Sequence, residues 1–562
     1  MPVGERVAAA VCPDGEYGDR NDQEGRDVGG GAARSKDLFV QLELSPVASY
    51  PEIPGPHTPG NPARFGGIAQ IMFFVTLKRS LMLTAVLLVA ALAGTVGTSS
   101  AAIKTGVYDL FTFSNATQRA NSLDKTRAGG ANLAKSLVYW RSVAPGSEPG
   151  NPQNPAAYNW AVPDAFVNAA TSRGLEPVLT IFQAPSWASG ERKSRNGYDG
   201  VNNVDSAKFH DFAVALATHY GGQVHYYEVW NEPNLPWFFT PQLKNDKFVS
   251  PAKYRALVNA FATGIHSVTP NAVVIAGNTA PFGHPPPTGQ AIGPKPFLKG
   301  VASAPVHFDA WSTHPYTYGG PTHDANKDSD VSLGDMGELR RILNKARSSG
   351  RILGSHKPQL WASEFSWDSH GPDQRGVDMG LLSRWISETV YRLNRAGVNA
   401  LLWFGMRDRP FGGIQTQSGF WFCGTGDLSD DGTDSGECGN SSFNSANDVK
   451  KPIFNAFRFP FVAYAGHGKV KVWGKRPGGV GGNIEIWRRK PSGNWSKVTT
   501  INPGANFGKT FNSSWTKGFY QARIPSAGIQ SVPFSLTRVG DKAVLPFGCL
   551  STPTCDKSGR PN

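Results

Sequence analysis

At 562 residues the chain exceeds one ordinary domain and suits a large domain with a smaller companion. Hydrophobic residues make up 40% of it, with 15 Trp, 15 Tyr and 32 Phe, which is ample for a globular core and excludes a wholly disordered chain. The net charge of +13 comes without a dense Lys/Arg run or nucleic-acid motif, so no nucleic-acid partner is expected, and an acidic polymer or cell envelope is the partner class such dispersed charge favours.

Residues 1–71 are rich in Gly, Pro and charge and lack a hydrophobic period, which predicts a disordered or non-native extension. In residues 72–102, Lys78-Arg79 precede the apolar run LMLTAVLLVAALAGTV (81–96) and the small residues GTSSAA (97–102). Positive flank, short apolar stretch and small-residue exit are the layout of a signal peptide, with cleavage expected near Ala101 or Ala102. A membrane anchor is the alternative, because Phe73-Phe74-Val75 extend the apolar stretch backwards. Either way the rest of the chain is expected outside the cytoplasm, secreted or in the envelope, touching membrane only through this segment, as a monomer. Cysteine usage agrees: Cys12 falls in the segment expected to be lost, and proximity favours the disulfides Cys423–Cys438 and Cys549–Cys555.

From residue 103 to about 450, β-rich runs alternate with helical spacing. Strands are predicted at 103–111, 133–140, 175–182, 224–232, 272–278, 308–316, 359–367 and 398–406, with helices at 156–174, 207–221, 251–268 and 377–397 among the intervening segments. Eight such units imply an α/β fold, a (β/α)8 barrel. A doubly wound sheet is the alternative, but no glycine-rich phosphate loop follows the first strand, which ends in Asp109-Leu110-Phe111.

Such barrels build their sites at the C-terminal ends of the strands. Glu232 in VWNEPN (229–234) ends the fourth strand and Glu364 in WASEFSW (361–367) ends the seventh. Two carboxylates facing each other across the mouth are the machinery of glycosidic cleavage: one protonates the leaving oxygen, the other attacks the anomeric carbon or activates water. Asn231 is placed to bind a sugar hydroxyl, and Tyr316 to hydrogen-bond a nucleophilic carboxylate. This chemistry needs neither metal nor nucleotide.

WNEPN (230–234) with WASEFSW resembles the acid/base and nucleophile motifs of glycoside hydrolase clan A, the retaining (β/α)8 glycosidases, with most flavour of families 39 and 5. The resemblance covers residues 103–410. It implies Glu232 as acid/base, Glu364 as nucleophile, Asn231 as a 2-hydroxyl contact, His314 and Tyr316 of THPY (313–316) as substrate-binding and nucleophile-orienting groups, and Trp403 of LLWFG (401–405) as a sugar platform. One departure stands out: where these enzymes often carry an Arg five residues before a Trp on the second strand, KSLVYW (135–140) offers Lys135 before Trp140, which keeps the charge but loses the planar fork. Lys135, Trp140, Trp187 and Trp237 complete the candidate substrate-binding set, the tryptophans being equally consistent with core packing. Trp367 shares that ambiguity.

His210, His219 and His225 lack ligand spacing, so no zinc site is expected; the Asp-rich stretch 427–434 does not match an EF-hand loop, which favours a solvated, disulfide-tied loop, with calcium binding as the alternative. Residues 451–545 read as a separate domain: short alternating runs from 467 to 540, split by Gly, Pro, Asn and Ser, predict a small β-sandwich resembling the immunoglobulin-like accessory domains of secreted hydrolases. Trp487, Trp495 and Trp515 fit its core as well as a binding strip. Residues 546–562 are expected to form a disulfide-tied tail. The functional expectation is an exported retaining glycosidase acting on a polysaccharide or oligosaccharide. An inactive carbohydrate-binding or envelope-scaffold barrel is the alternative.

Overall fold

The computed structural model describes residues 102–190, 198–286, 289–317, 319–354, 356–370, 376–409, 416–423, 448–502 and 504–536. The N-terminal extension, the apolar run 81–96, the Asp-rich stretch 427–434, Cys12, Cys438, Cys549, Cys555 and the tail 546–562 lie outside them.

The β-rich runs form eight parallel strands: β1 (Lys104–Tyr108), β2 (Leu133–Tyr139), β3 (Glu176–Phe182), β4 (Tyr226–Val229), β5 (Val273–Thr279), β6 (Ala310–Thr313), β7 (Gln359–Phe365) and β8 (Ala400–Phe404). They pair in sequence order and close between β1 and β8, giving the expected (β/α)8 barrel. Helices follow the strands: α1 (Arg119–Ala128), α2 (Ala161–Thr171), α3 (Ser206–Tyr220), α4 (Ser250–Val268), α5 (Pro294–Val301), α6 (Met336–Ser348) and α7 (Met379–Arg395). Aspartates set two of the helix starts, Asp205 accepting from the amides of Ala207 and Lys208, and Asp378 from those of Gly380 and Leu381.

The two-residue strand period sorts the barrel interior into layers. One layer is apolar: Leu133, Val178, Tyr226, Ile275, Ala310, Trp361, Ala400 and Leu402. Two residues further along their strands come Lys135, Thr180, Glu228, Ser312 and Ser363, all fully buried and all polar. Beyond that polar layer the strands reach the mouth.

After the barrel come two antiparallel sheets built from β9 (Phe461–Gly466), β10 (Lys469–Lys475), β11 (Ile484–Arg489), β12 (Ser496–Ile501), β13 (Asn506–Asn512), β14 (Phe519–Ile524) and β15 (Phe534–Ser535). One sheet runs β9-β10-β13; the other runs β12-β11-β14 with β15 also paired to β14. Val470, Val472, Ile484, Ile486, Tyr520 and Ala522 fill a shared core between them. Strand β9 lies outside the alternating runs, because five of its six residues are buried and its sequence FVAYAG carries no alternation. Sandwich and barrel meet at α7: Arg384 donates to the Ser535 carbonyl and to Glu388, and Tyr464 also donates to Glu388, which is fully buried.

Candidate active site

Backbone irregularity at the strand ends sets the geometry of the mouth. Strand β4 stops at Val229 because Trp230 and Glu232 take φ of 69° and 41°, a region costly for bulky residues, on the order of 1–3 kcal/mol each. The kink is held from β5. The Asn278 side-chain amide donates to the Trp230 carbonyl at 2.9 Å, and the Glu232 amide donates to the Asn278 carbonyl at 2.9 Å. Asn278 itself has φ of 46° and follows Gly277 at 96°, where a Cβ would collide with the Ser312 carbonyl and the Trp311 ring. On β7 the pairing with β8 shifts register between Ala362 and Phe365. Ser363 points into the polar layer, and the shift lets its neighbour Glu364 reach the mouth as well.

Four expected residues come together here. Glu232 Oε1 lies 3.0 Å from His314 Nδ1, and Glu364 Oε2 lies 3.8 Å from the same nitrogen. Tyr316 Oη donates to Glu364 Oε1 at 3.0 Å. The two carboxylate side chains are 15% and 14% exposed, enough to meet a ligand, whereas His314 is fully buried. Among the described residues its Nε2 has no partner, and an unpaired buried N–H costs more than an unpaired lone pair, which assigns the proton to Nδ1 as donor to Glu232. Burial pushes His314 down to about 4, keeping the ring neutral at ordinary pH.

The carboxylates differ in their surroundings. Burial raises Glu232 to about 8, with only the Lys135 charge opposing it. Burial also raises Glu364, but His314, Lys135 and the Tyr316 hydroxyl all pull it back, while the Glu232 charge pushes it up. The arrangement therefore separates a carboxyl group that keeps its proton from one that gives it up more readily. Tyr108 and Tyr198, which sequence reasoning passed over, also belong here: Tyr108 is raised by burial and by the Glu364 charge, and Tyr198 by burial and by the Glu232 charge. Tyr108 follows the strand period into the mouth. Tyr198 comes from the β3–α3 loop, where no period points to it.

Lys135 stands elsewhere than expected. It is fully buried in the polar layer, paired with Glu228 Oε2 at 2.8 Å and 4.8 Å from the Tyr108 ring centroid, so it cannot touch a sugar and acts on the site only through its charge. Glu228 also accepts from the Thr180 hydroxyl at 2.6 Å. Trp140 is likewise a core residue, fully buried and stacked on Phe212. Trp403 is 1% exposed; its indole donates to the Ser418 carbonyl and its ring stacks on Phe420, so it presents no platform to a sugar. Trp367, at 5% exposure, packs against Trp385 and Trp403. Trp187 is half-buried, donating to the Pro145 carbonyl. Half-buried Trp237 accepts at its carbonyl from the Tyr198 amide, which ties it to the mouth. Asn231 is half-buried, and its buried Oδ1 has no partner among the described residues.

Residues 96–353 match the model of the cellulase family, glycosyl hydrolase family 5. The matched segment contains strands β1 to β6 of the barrel and Glu232. Strands β7 and β8, and with them Glu364, lie beyond it. No curated protein matches the chain. Among solved structures, the chain is similar to a glucosidase from Croceicoccus marinus (14% identity, 74% of this chain and 93% of the other, TM-score 0.40) and a family 30 endoxylanase from Clostridium papyrosolvens C71 (13%, 74% and 94%, 0.37). A Bacteroidetes-affiliated family 5 cellulase is similar over 57% of this chain and 84% of its own, at 12% identity and a TM-score of 0.37.

Proposed function

We propose that the protein is an exported, monomeric glycosidase that cleaves a polysaccharide with retention, Glu364 attacking the anomeric carbon while Glu232 protonates the leaving oxygen. One observation carries this reading: a single imidazole nitrogen stands 3.0 Å from one carboxylate and 3.8 Å from the other. Those two oxygens are therefore within about 7 Å of each other, compatible with the ~5–5.5 Å carboxyl separation of double displacement. Glu232 then takes a proton from water to release the glycosyl-enzyme. Tyr316 supports Glu364 as the anion, and the neutral His314 steadies Glu232 without competing for its proton. Asn231, with an unpartnered amide oxygen, and half-buried Trp237 and Trp187 are the remaining sugar contacts in this reading. Export rests on the 72–102 segment, and Cys423–Cys438 and Cys549–Cys555 are its expected disulfides; Cys423 is buried.

The test is product stereochemistry. Protein starting at Ala102 is incubated with plant and bacterial polysaccharides, and the first-formed anomer is followed by proton NMR before mutarotation. Retention of the cleaved bond's configuration is expected; inversion refutes the double displacement.

The pH profile is a second check. The acid must be protonated, so kcat/KM falls as pH rises through the Glu232 value, about 8. The nucleophile must be ionised, so kcat/KM falls on the acid side through the Glu364 value, which burial lifts above the usual 4.5. A bell with its alkaline limb near pH 8 is expected, and an alkaline limb near pH 5 contradicts the assignment of the acid.

A further inference from the structure

The β12-β11-β14 sheet turns one face to the sandwich core and the other to solvent. Along β11, Ile484 and Ile486 point inward, while Glu485, Trp487 and Arg489 alternate with them on the outer face. Opposite on β14 stand Arg523, Gln521 and Phe519. Trp495, just before β12, joins the same surface through its ring contacts. The side chains interleave: Arg523 Cζ lies 4.4 Å from the Trp487 ring centroid and 5.3 Å from that of Trp495, and Arg489 Cζ lies 5.4 Å from Trp495 and 4.5 Å from Phe519. The result is a ladder of ring, guanidinium, ring, guanidinium, ring, with every member half-buried.

The charges on this face do not balance. Its acid, Glu485, already accepts from Lys497 at 3.0 Å and from the Trp487 indole at 2.9 Å. Arg523 uses Nε on Gln521, and Arg489 uses Nη1 on the Pro491 carbonyl. Among the described residues neither guanidinium forms a salt bridge with a carboxylate; the Arg523 charge acts on Glu485 across the strands, while both Nη groups of Arg523 and the Nη2 of Arg489 make no hydrogen bond. A guanidinium packed between rings loses little further freedom on binding, and its remaining N–H groups fit a carboxylate.

We propose that this face binds a polysaccharide carrying carboxylates, a polyuronate, with Arg489 and Arg523 as the anion contacts and Lys497 adding positive potential. The choice of a glycan over another polyanion rests on the glycosidase reading of the barrel; the anion site itself does not. Binding is therefore measured on the full chain carrying Glu364→Gln, where failed turnover has no influence.

The probes are polygalacturonate, the same polymer with its carboxyls reduced to alcohols, and duplex DNA, compared by affinity electrophoresis and calorimetry at fixed salt. The expected result is binding of polygalacturonate, weakened roughly tenfold or more by carboxyl reduction and by the double substitution Arg489→Gln/Arg523→Gln. Arg489→Lys/Arg523→Lys keeps the charge and loses the fork, and is expected to recover less than half of the lost binding free energy; it also carries the test if the glutamine variant unfolds. Equal binding of the reduced polymer, full recovery by lysine, or tighter binding of DNA than of polygalacturonate would each overturn the proposal. In the parent with Glu364 intact, the arginine substitutions are expected to leave turnover of a small soluble glycoside unchanged, which separates loss of this site from damage to the barrel.

Discussion

Replacing Glu364 with glutamine is expected to lower kcat/KM by on the order of 10⁴-fold or more, about 5.5 kcal/mol of transition-state stabilisation, while leaving the protein at least as stable as the parent. The amide keeps the shape and the contact with Tyr316 but cannot form the glycosyl ester. Stability is expected to hold because burial already works against the Glu364 charge, so a neutral group of the same size relieves a cost. Glu232→Gln is the partner measurement. It should be equally slow on a polysaccharide yet recover much of the first step with a dinitrophenyl glycoside, whose leaving group departs without a proton. If Glu364→Gln retained activity within tenfold of the parent, or if the two variants responded alike to the activated substrate, the division of roles would be wrong.

The second large effect is expected at Lys135, far from any sugar contact. Its ammonium and the Glu228 carboxylate are both fully buried, 2.8 Å apart. Lys135→Met strands the carboxylate in the barrel interior, and breaking a buried pair from one side costs roughly 3–5 kcal/mol. The urea midpoint should fall accordingly with the slope unchanged, and Lys135→Met/Glu228→Gln should recover much of the loss, since the second change removes the stranded charge. Lys135 also favours the ionised forms of Glu232 and Glu364. Its removal should therefore move both limbs of the pH profile to higher pH, a readout that simple destabilisation would not produce. A single variant within about 1 kcal/mol of the parent would mean that the buried pair is solvated or replaced.

Lys135 also illustrates what the amino-acid order conceals. The eight strands were legible because aromatic and β-branched runs recur at even spacing, and Glu232 and Glu364 because an acid ending such a run is out of place in a core. The fate of a lysine in mid-strand depends on which side chain the neighbouring strands bring opposite it. Glu228 lies on β4 and Lys135 on β2, and nothing in KSLVYW or HYYEVW announces their pairing. The tryptophans failed for a related reason. Trp140 and Trp403 stand near strand ends, where a platform belongs, but Phe212 and Phe420 cover them, and such contacts between distant segments have no local signature. The latch of Asn278 on Trp230 was hidden in the same way, since AVVIAGN reads as an ordinary strand until the positive φ values appear.

The buried seam at α7 bears on how the sandwich can serve the barrel. A module on a flexible tether samples many positions, and its benefit to a neighbouring site is an average over the reach of the tether. Here Arg384, Glu388 and Tyr464 fasten the two bodies through side chains that water does not reach. A glycan held on the sandwich would be presented to the cleavage mouth along one vector, so spacing between grip and cut becomes a property of the fold, a ruler in place of a leash.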